Sequence, residues 1–149
     1  WKVLHAVLQV TLKQAIVRDD GIRQFISREE CSKTSCFLRD RVSNKVIGRT
    51  RYKKGERLDW APFIESGFGE KRFHLHLMIG KPDEIAHEEF EQKFRDVCDQ
   101  SIWVYRQIDI QEIRDIKGNG RRVVAFYSLK EGIDALDLRS SFLRNHQVG

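Results

Sequence analysis

Residues 3 to 12 alternate along the chain, with Leu4, Ala6, Leu8, Val10 and Leu12 on one side and His5, Val7, Gln9 and Thr11 on the other. That two-residue period is the signature of a half-buried strand. The pattern breaks at Arg18-Asp19-Asp20-Gly21, which predicts a loop. Ser27-Arg28-Glu29-Glu30 then has the form of a capping box, with Ser27 as N-cap and Glu30 reaching back to it. It predicts a helix to about Ile47, carrying Leu38, Val42 and Val46 as an apolar stripe and Gly48 in the left-handed C-terminal position.

After a basic loop through Gly55, residues 57 to 65 read as a second strand. Pro62 cannot donate to a ladder, so it suits an edge strand or a bulge. The glycine-bearing segment from Ser66 to Lys71 is short enough to close a hairpin onto residues 72 to 80, a third strand. Its faces separate into Phe73, Leu75, Leu77 and Ile79 against His74, His76 and Met78. Pro82 and Asp83 open a helix over residues 84 to 99, with Phe90, Phe94, Val97 and Cys98 on its apolar face. Trp103 to Glu112 alternates as a fourth strand. The turn Lys117-Gly118-Asn119-Gly120 leads into RRVVAFYSLKE, a predicted short helix stopped by Gly132. From Ile133 onward the chain either adds a strand or packs as a tail. Strands and helices mix without βαβ alternation, which predicts an α+β fold with helices packed on an antiparallel sheet.

Composition narrows the class. A chain of 149 residues with 40% hydrophobic content is the size of one domain with one core, and residues 1–149 are expected to form it. No run approaches the ~18 to 20 apolar residues needed to cross a bilayer, so a cytoplasmic protein is expected. Cys31, Cys36 and Cys98 are odd in number and form no CxxC pair, arguing against a disulfide framework or a structural zinc site. Lys and Arg number 27 against 22 Asp and Glu, a net charge of +5, which favours a polyanionic partner. Arg39, Arg41, Lys45, Arg49, Arg51, Lys53, Lys54 and Arg57 fall in one stretch against Asp40 and Glu56, either a polyanion contact or a solvated helix face and loop.

Three constellations carry chemistry. His74 and His76 project to one strand face, about 6 to 7 Å apart at the backbone, a gap two imidazoles can bridge through one metal ion. Alone, such a pair is as readily two polar residues on a solvated face. A hairpin closing at residues 66 to 71 pairs Glu65 with Arg72 or, shifted by two, with His74; either register puts its carboxylate beside the histidines, and a one-residue slip removes it. Two imidazoles and a carboxylate leave coordination positions open, a set suited to Mg²⁺ or Mn²⁺ holding a phosphate oxygen. Finally, Tyr127 and Lys130, three apart on the predicted helix, share a face. A phenol can attack phosphorus where a cation steadies the developing charge, although a packed tyrosine beside a solvated lysine has the same pattern.

The histidine pair on a strand, a glutamate nine residues before it and a YxxK about fifty residues after it together resemble the HUH endonucleases, specifically the single-tyrosine replication initiators of phages, plasmids and small single-stranded DNA viruses. The resemblance runs from about Phe63 to Leu138, most closely in FIESGFGEKRFHLHL and FYSLKEGIDALDL. It implies an antiparallel sheet of about five strands flanked by helices, with His74 and His76 on a central strand facing the helix that carries Tyr127. It further implies Glu65, His74 and His76 as metal ligands, Tyr127 as nucleophile and Lys130 as a positioning residue. The implied reaction cuts one DNA strand at an origin, leaves the 5′ phosphate on the tyrosine and frees a 3′ hydroxyl for rolling-circle replication. Single-stranded origin DNA, a host helicase and a polymerase are the implied partners.

No second tyrosine lies one helical turn from Tyr127, since Tyr52 and Tyr105 are elsewhere, so a two-tyrosine mechanism is not implied. No third histidine follows the pair as in conjugative relaxases, and no helicase segment is present. The rival readings are an HUH-type transposase or relaxase, a non-catalytic single-stranded nucleic-acid-binding module in which Trp60, Phe68 or Trp103 stacks bases, and a metalloenzyme acting on a small molecule through His74, His76 and Glu65.

Overall fold

A computed structural model describes residues 6–65, 72–112 and 133–143. Alternation at the N-terminus produces strand β1 (Ala6–Leu12), which the chain follows with a small hairpin, β2 (Ala15–Val17) and β3 (Arg23–Phe25). The helix α1 (Arg28–Ile47) starts as predicted, with the Ser27 hydroxyl accepting from the Glu30 amide at 3.2 Å. Gly48 ends it at a φ of 82°, where a side chain would be strained, although its ψ of 157° is extended rather than helical. A five-residue helix α2 (Arg49–Lys53) follows where the sequence predicted only a loop.

Among the described residues the main sheet has four antiparallel strands in the order β4 (Trp60–Glu65), β5 (His74–Ile79), β1 and β6 (Val104–Glu112). The fold is therefore α+β as expected, with the histidine strand between two neighbours. About five strands were expected; the other strands among the described residues form the separate β2–β3 ribbon, because the chain turns off the sheet at Lys13 and Gln14. The tail does a little of both things predicted for it. Ile133–Ala135 form a 3-10 turn, and the chain then touches the outer edge of β4 through single bridges at Phe63 with Leu136 and Trp60 with Phe142. Pro62 thus sits in an edge strand, where its missing N–H costs the inner ladder nothing, and its carbonyl accepts from the Asp137 amide.

One face of the sheet holds Leu8, Val10, Leu12, Leu75, Leu77, Ile79, Trp60 and Ile64, and both longer helices pack on it. Helix α1 presents small residues there, Cys31, Ser35 and Ser43 among them, and two of its hydroxyls join it to the strand side. Ser35 accepts from the Trp60 indole and Ser43 from the Leu58 amide, each at 3.1 Å, so polar groups enter the core with partners. Helix α3 (His87–Cys98) starts three residues later than predicted and buries Phe90, Phe94, Val97 and Cys98. Phe94 is fully buried, its ring 6.4 Å from Trp60. Among the described residues, no helix is long and apolar enough to cross a membrane.

Two predictions follow from this packing. Phe94→Ala removes an aromatic ring from between helix and sheet and is expected to cost about 3 to 5 kcal/mol, against about 1 kcal/mol for Ser27→Ala at the helix cap, both read from urea denaturation. Burial pushes the Cys31 and Cys98 thiols up from 9.0 to about 12, so between those values the unfolded chain releases protons that the folded chain keeps. Stability is accordingly full below about pH 9 and falls as pH rises towards 12, and a thiol reagent at pH 8 should label the half-buried Cys36 well before either buried cysteine.

Candidate active site

The antiparallel pairing of β4 and β5 runs without a bulge from Trp60 opposite Ile79 to Glu65 opposite His74. This is the second of the two registers the sequence allowed, and it puts Glu65, His74 and His76 on one face. It is the face opposite the helices. Phe63 lies opposite His76, and β1 supplies Gln9 opposite His76 and Thr11 opposite His74.

The side chains of Glu65 and His76 meet: Nε2 of His76 donates to Oε2 of Glu65 at 2.5 Å, with only 7% of the histidine exposed. The carboxylate accepting from an imidazole N–H held away from water makes a charge-assisted bond. His74 stands one pair further along the strand, and its Nδ1 lies 3.3 Å from the Thr11 hydroxyl and 3.4 Å from the Gln9 amide nitrogen. The Gln9 amide nitrogen can only donate, so in this arrangement Nδ1 accepts and the ring proton sits on Nε2; freeing the Nε2 lone pair for a metal requires the amide to turn so that Nδ1–H can donate to the Thr11 hydroxyl or the Gln9 carbonyl oxygen. As the side chains stand, no group of three or more His, Cys, Asp or Glu among the described residues is arranged around a common metal position. Glu65 and His76 are the donors that converge, and their chemistry, oxygen and nitrogen without sulfur, suits a hard divalent ion.

Burial of His76 has a local cause. Ala61, Phe63 and Met78 form a small apolar cluster on the histidine face, closed by Ala135 and Leu136 from the C-terminal tail. The tail is held to α1 by three arginines: Arg28 donates to the Asp134 carbonyl, Arg39 to the Ser140 carbonyl, and Arg139 approaches Glu29. Described chain thus resumes at Ile133, six positions after Tyr127, beside the strand that carries Glu65. Tyr127 and Lys130 themselves, with the helix predicted for them, lie outside the described residues.

Two sequence expectations change. Trp60 is fully buried and Trp103 is 6% exposed, so neither can stack a base; both were absorbed by the core, and Phe68 lies outside the described residues. Much of the basic stretch is bound within the protein. Arg39 and Arg57 share Asp40, Arg57 also covers the Tyr52 ring at 3.6 Å, Arg51 pairs with Glu56, and Lys45 pairs with Asp96. The Lys45 ammonium holds the Asp96 carboxyl below its ordinary range, and Glu56 raises Arg51 in turn. Sequence reading missed Gln9 and Thr11 as partners of His74. Alternation had put them on the right face of β1, but nothing in the sequence said that β1 would lie beside β5.

No protein-family model, curated protein or solved structure matches the chain. The contact between Glu65 and His76 predicts its own test: in a double-mutant cycle of Glu65→Ala and His76→Ala, unfolding free energies should depart from additivity by about 1 to 3 kcal/mol, and additivity within about 0.5 kcal/mol would exclude a direct interaction.

Proposed function

We propose that the protein is a divalent-metal-dependent endonuclease that nicks and rejoins single-stranded DNA through a covalent tyrosine intermediate, as an initiator of rolling-circle replication. The observation that carries the reading is the convergence of Glu65 and His76 on a sheet face that also holds His74. In this reading Glu65, His74 and His76 hold Mg²⁺ or Mn²⁺, and metal binding at Nε2 of His74 turns the Gln9 amide so that Nδ1–H donates to Thr11 behind it. The ion, when bound, would polarise the scissile phosphate and offset charge on its oxygens.

Tyr127 is the nucleophile. Its phenolic oxygen forms a bond to phosphorus as the bond to the 3′ oxygen breaks, and the proton lost by the phenol is balanced by the one gained by the departing 3′ hydroxyl. Lys130, three residues on, positions the phosphate. The phosphodiester energy is retained in the tyrosyl ester, so a 3′ hydroxyl can later reverse the step and rejoin the strand without a nucleotide cofactor. The packing of Ala135 and Leu136 against Phe63 and Met78 on the histidine face, five and six positions after Lys130 in sequence, supports the reading.

The test is incubation with Mn²⁺ and single-stranded oligonucleotides, followed by denaturation and a search for protein-linked DNA. An adduct on the 5′ phosphate side of the cut is expected; it should vanish in Tyr127→Phe and fall at least a hundredfold in His76→Ala. An adduct that survives Tyr127→Phe would remove the nucleophile assignment. Mn²⁺ binding followed by calorimetry should weaken more in Glu65→Ala than in Thr11→Val, for which a loss of about tenfold to a hundredfold is expected.

A further inference from the structure

The β2–β3 ribbon leaves the sheet and turns an apolar and cationic face outward. Ala15 pairs with Phe25 and Val17 with Arg23, so these four side chains share one face. Val17 and Phe25 are 72% and 66% exposed. The Arg23 guanidinium lies over the Phe25 ring, 5.1 Å from its centre. Gly21, at a φ of 79°, makes the tight turn between the strands, and Asp20 closes it by accepting from the Ile22 amide while pairing with Arg18. Arg18 and Asp20 pair at the tip, which also carries Asp19, and Arg23 is the cation on the apolar face.

The position of the ribbon matters as much as its composition. Strand β1 ends with the Leu12 amide on the Phe73 carbonyl and the Lys13 amide on the Trp103 carbonyl. Thr11, one residue earlier, contacts His74. The ribbon therefore springs from the end of the sheet that holds His74 and Glu65. A second arginine–aromatic pair stands at that end, Arg72 over the Tyr105 ring at 4.5 Å. A groove of about 840 Å³ runs along β2, lined by Lys13, Ala15, Ile16, Val17, Gln24 and Ile102, with Arg18, Asp19 and Asp20 at the tip of the ribbon.

We infer that the exposed face of β2–β3, with Arg72 and Tyr105, is a binding platform for single-stranded DNA leading to the candidate active site. Single strands are bound without duplex geometry by aromatic rings that stack on bases and by cations that follow the phosphates. Arg over an aromatic ring supplies both at once, because the guanidinium plane extends the stacking surface while carrying charge. Two such pairs at one end of the sheet, in a protein of net charge +5, fit a polyanion with unpaired bases. The inference rests on the proposed function for its choice of DNA, yet its test does not require cleavage.

Binding of a fluorescein-labelled dT 20-mer is followed by anisotropy in EDTA, so that only association is read. Phe25→Ala should weaken binding about tenfold, and Phe25→Trp should restore it. Arg23→Ala should weaken binding and lower the salt slope by about 0.7 for the one phosphate contact removed. Lys93→Ala, whose ammonium pairs with Glu89 on α3, should leave binding unchanged. Both Phe25 and Arg23 are exposed, so circular dichroism should show the variants folded. Unchanged affinity in Phe25→Ala and Arg23→Ala overturns the inference, as does tighter binding of an RNA 20-mer or of duplex DNA. A self-associating wild type that Phe25→Ala makes monomeric, with DNA affinity intact, overturns it in favour of a contact between copies. Covalent adduct formation with ribbon-independent binding would remove this platform and leave the proposed reaction, whereas ribbon-dependent binding without any adduct would do the reverse.

Discussion

The pairing of β4 with β5 decides both faces of the sheet together. Because side chains alternate, the register that turns Trp60, Ile64, Leu75, Leu77 and Ile79 towards α1 and α3 is the same register that turns Glu65, His74 and His76 away from them. A slip of one residue would put a carboxylate into the core and an indole into water. Core burial therefore enforces the geometry of the candidate site, and the contact between Glu65 and His76 needs no separate device to select it. The cross-strand neighbours from β1 follow from the same alternation, carried one strand further.

That arrangement requires protection at its outer edge, since β4 is the edge strand of the described sheet. Pro62 removes one donor from that side, and the tail from Ile133 to Phe142 covers the rest through scattered bridges instead of a full ladder. The tail also completes the small apolar cluster that keeps His76 out of water. One segment thus closes the edge, shields the histidine and, through Arg28 and Arg39, ties the far side of the sheet to α1.

Charge is distributed unlike the sequence suggests. The densest run of basic residues, from Arg39 to Arg57, supports helix and loop structure through Asp40, Glu56, Asp96 and the Tyr52 ring. A polyanion would have to compete with those pairs. Arginines placed over aromatic rings at the β2–β3 ribbon and at Tyr105 are fewer, but they stand at the end of the sheet where Glu65 and His74 lie. Local density of like charge is thus a poor guide to where a ligand is met when opposite charges lie nearby in space.

Much was determined by the sequence alone. Period-two alternation defined β1 and β5 and the division of their faces, the Ser27 box began α1, the spacing of Phe90, Phe94 and Val97 marked the buried side of α3, and Pro62 pointed to an edge. These are local signals, each arising from backbone geometry within a few residues. Only the tertiary structure decided the strand order, which brings Thr11 and Gln9 to His74, and the choice of register, which brings Glu65 to His76. It also decided that Trp60 and Trp103 belong to the core while Phe25 faces water. The physical reason is common to all of these: a residue's pattern along the chain tells which side it will face, but its partner on that side comes from another part of the chain, and burial depends on what that part brings.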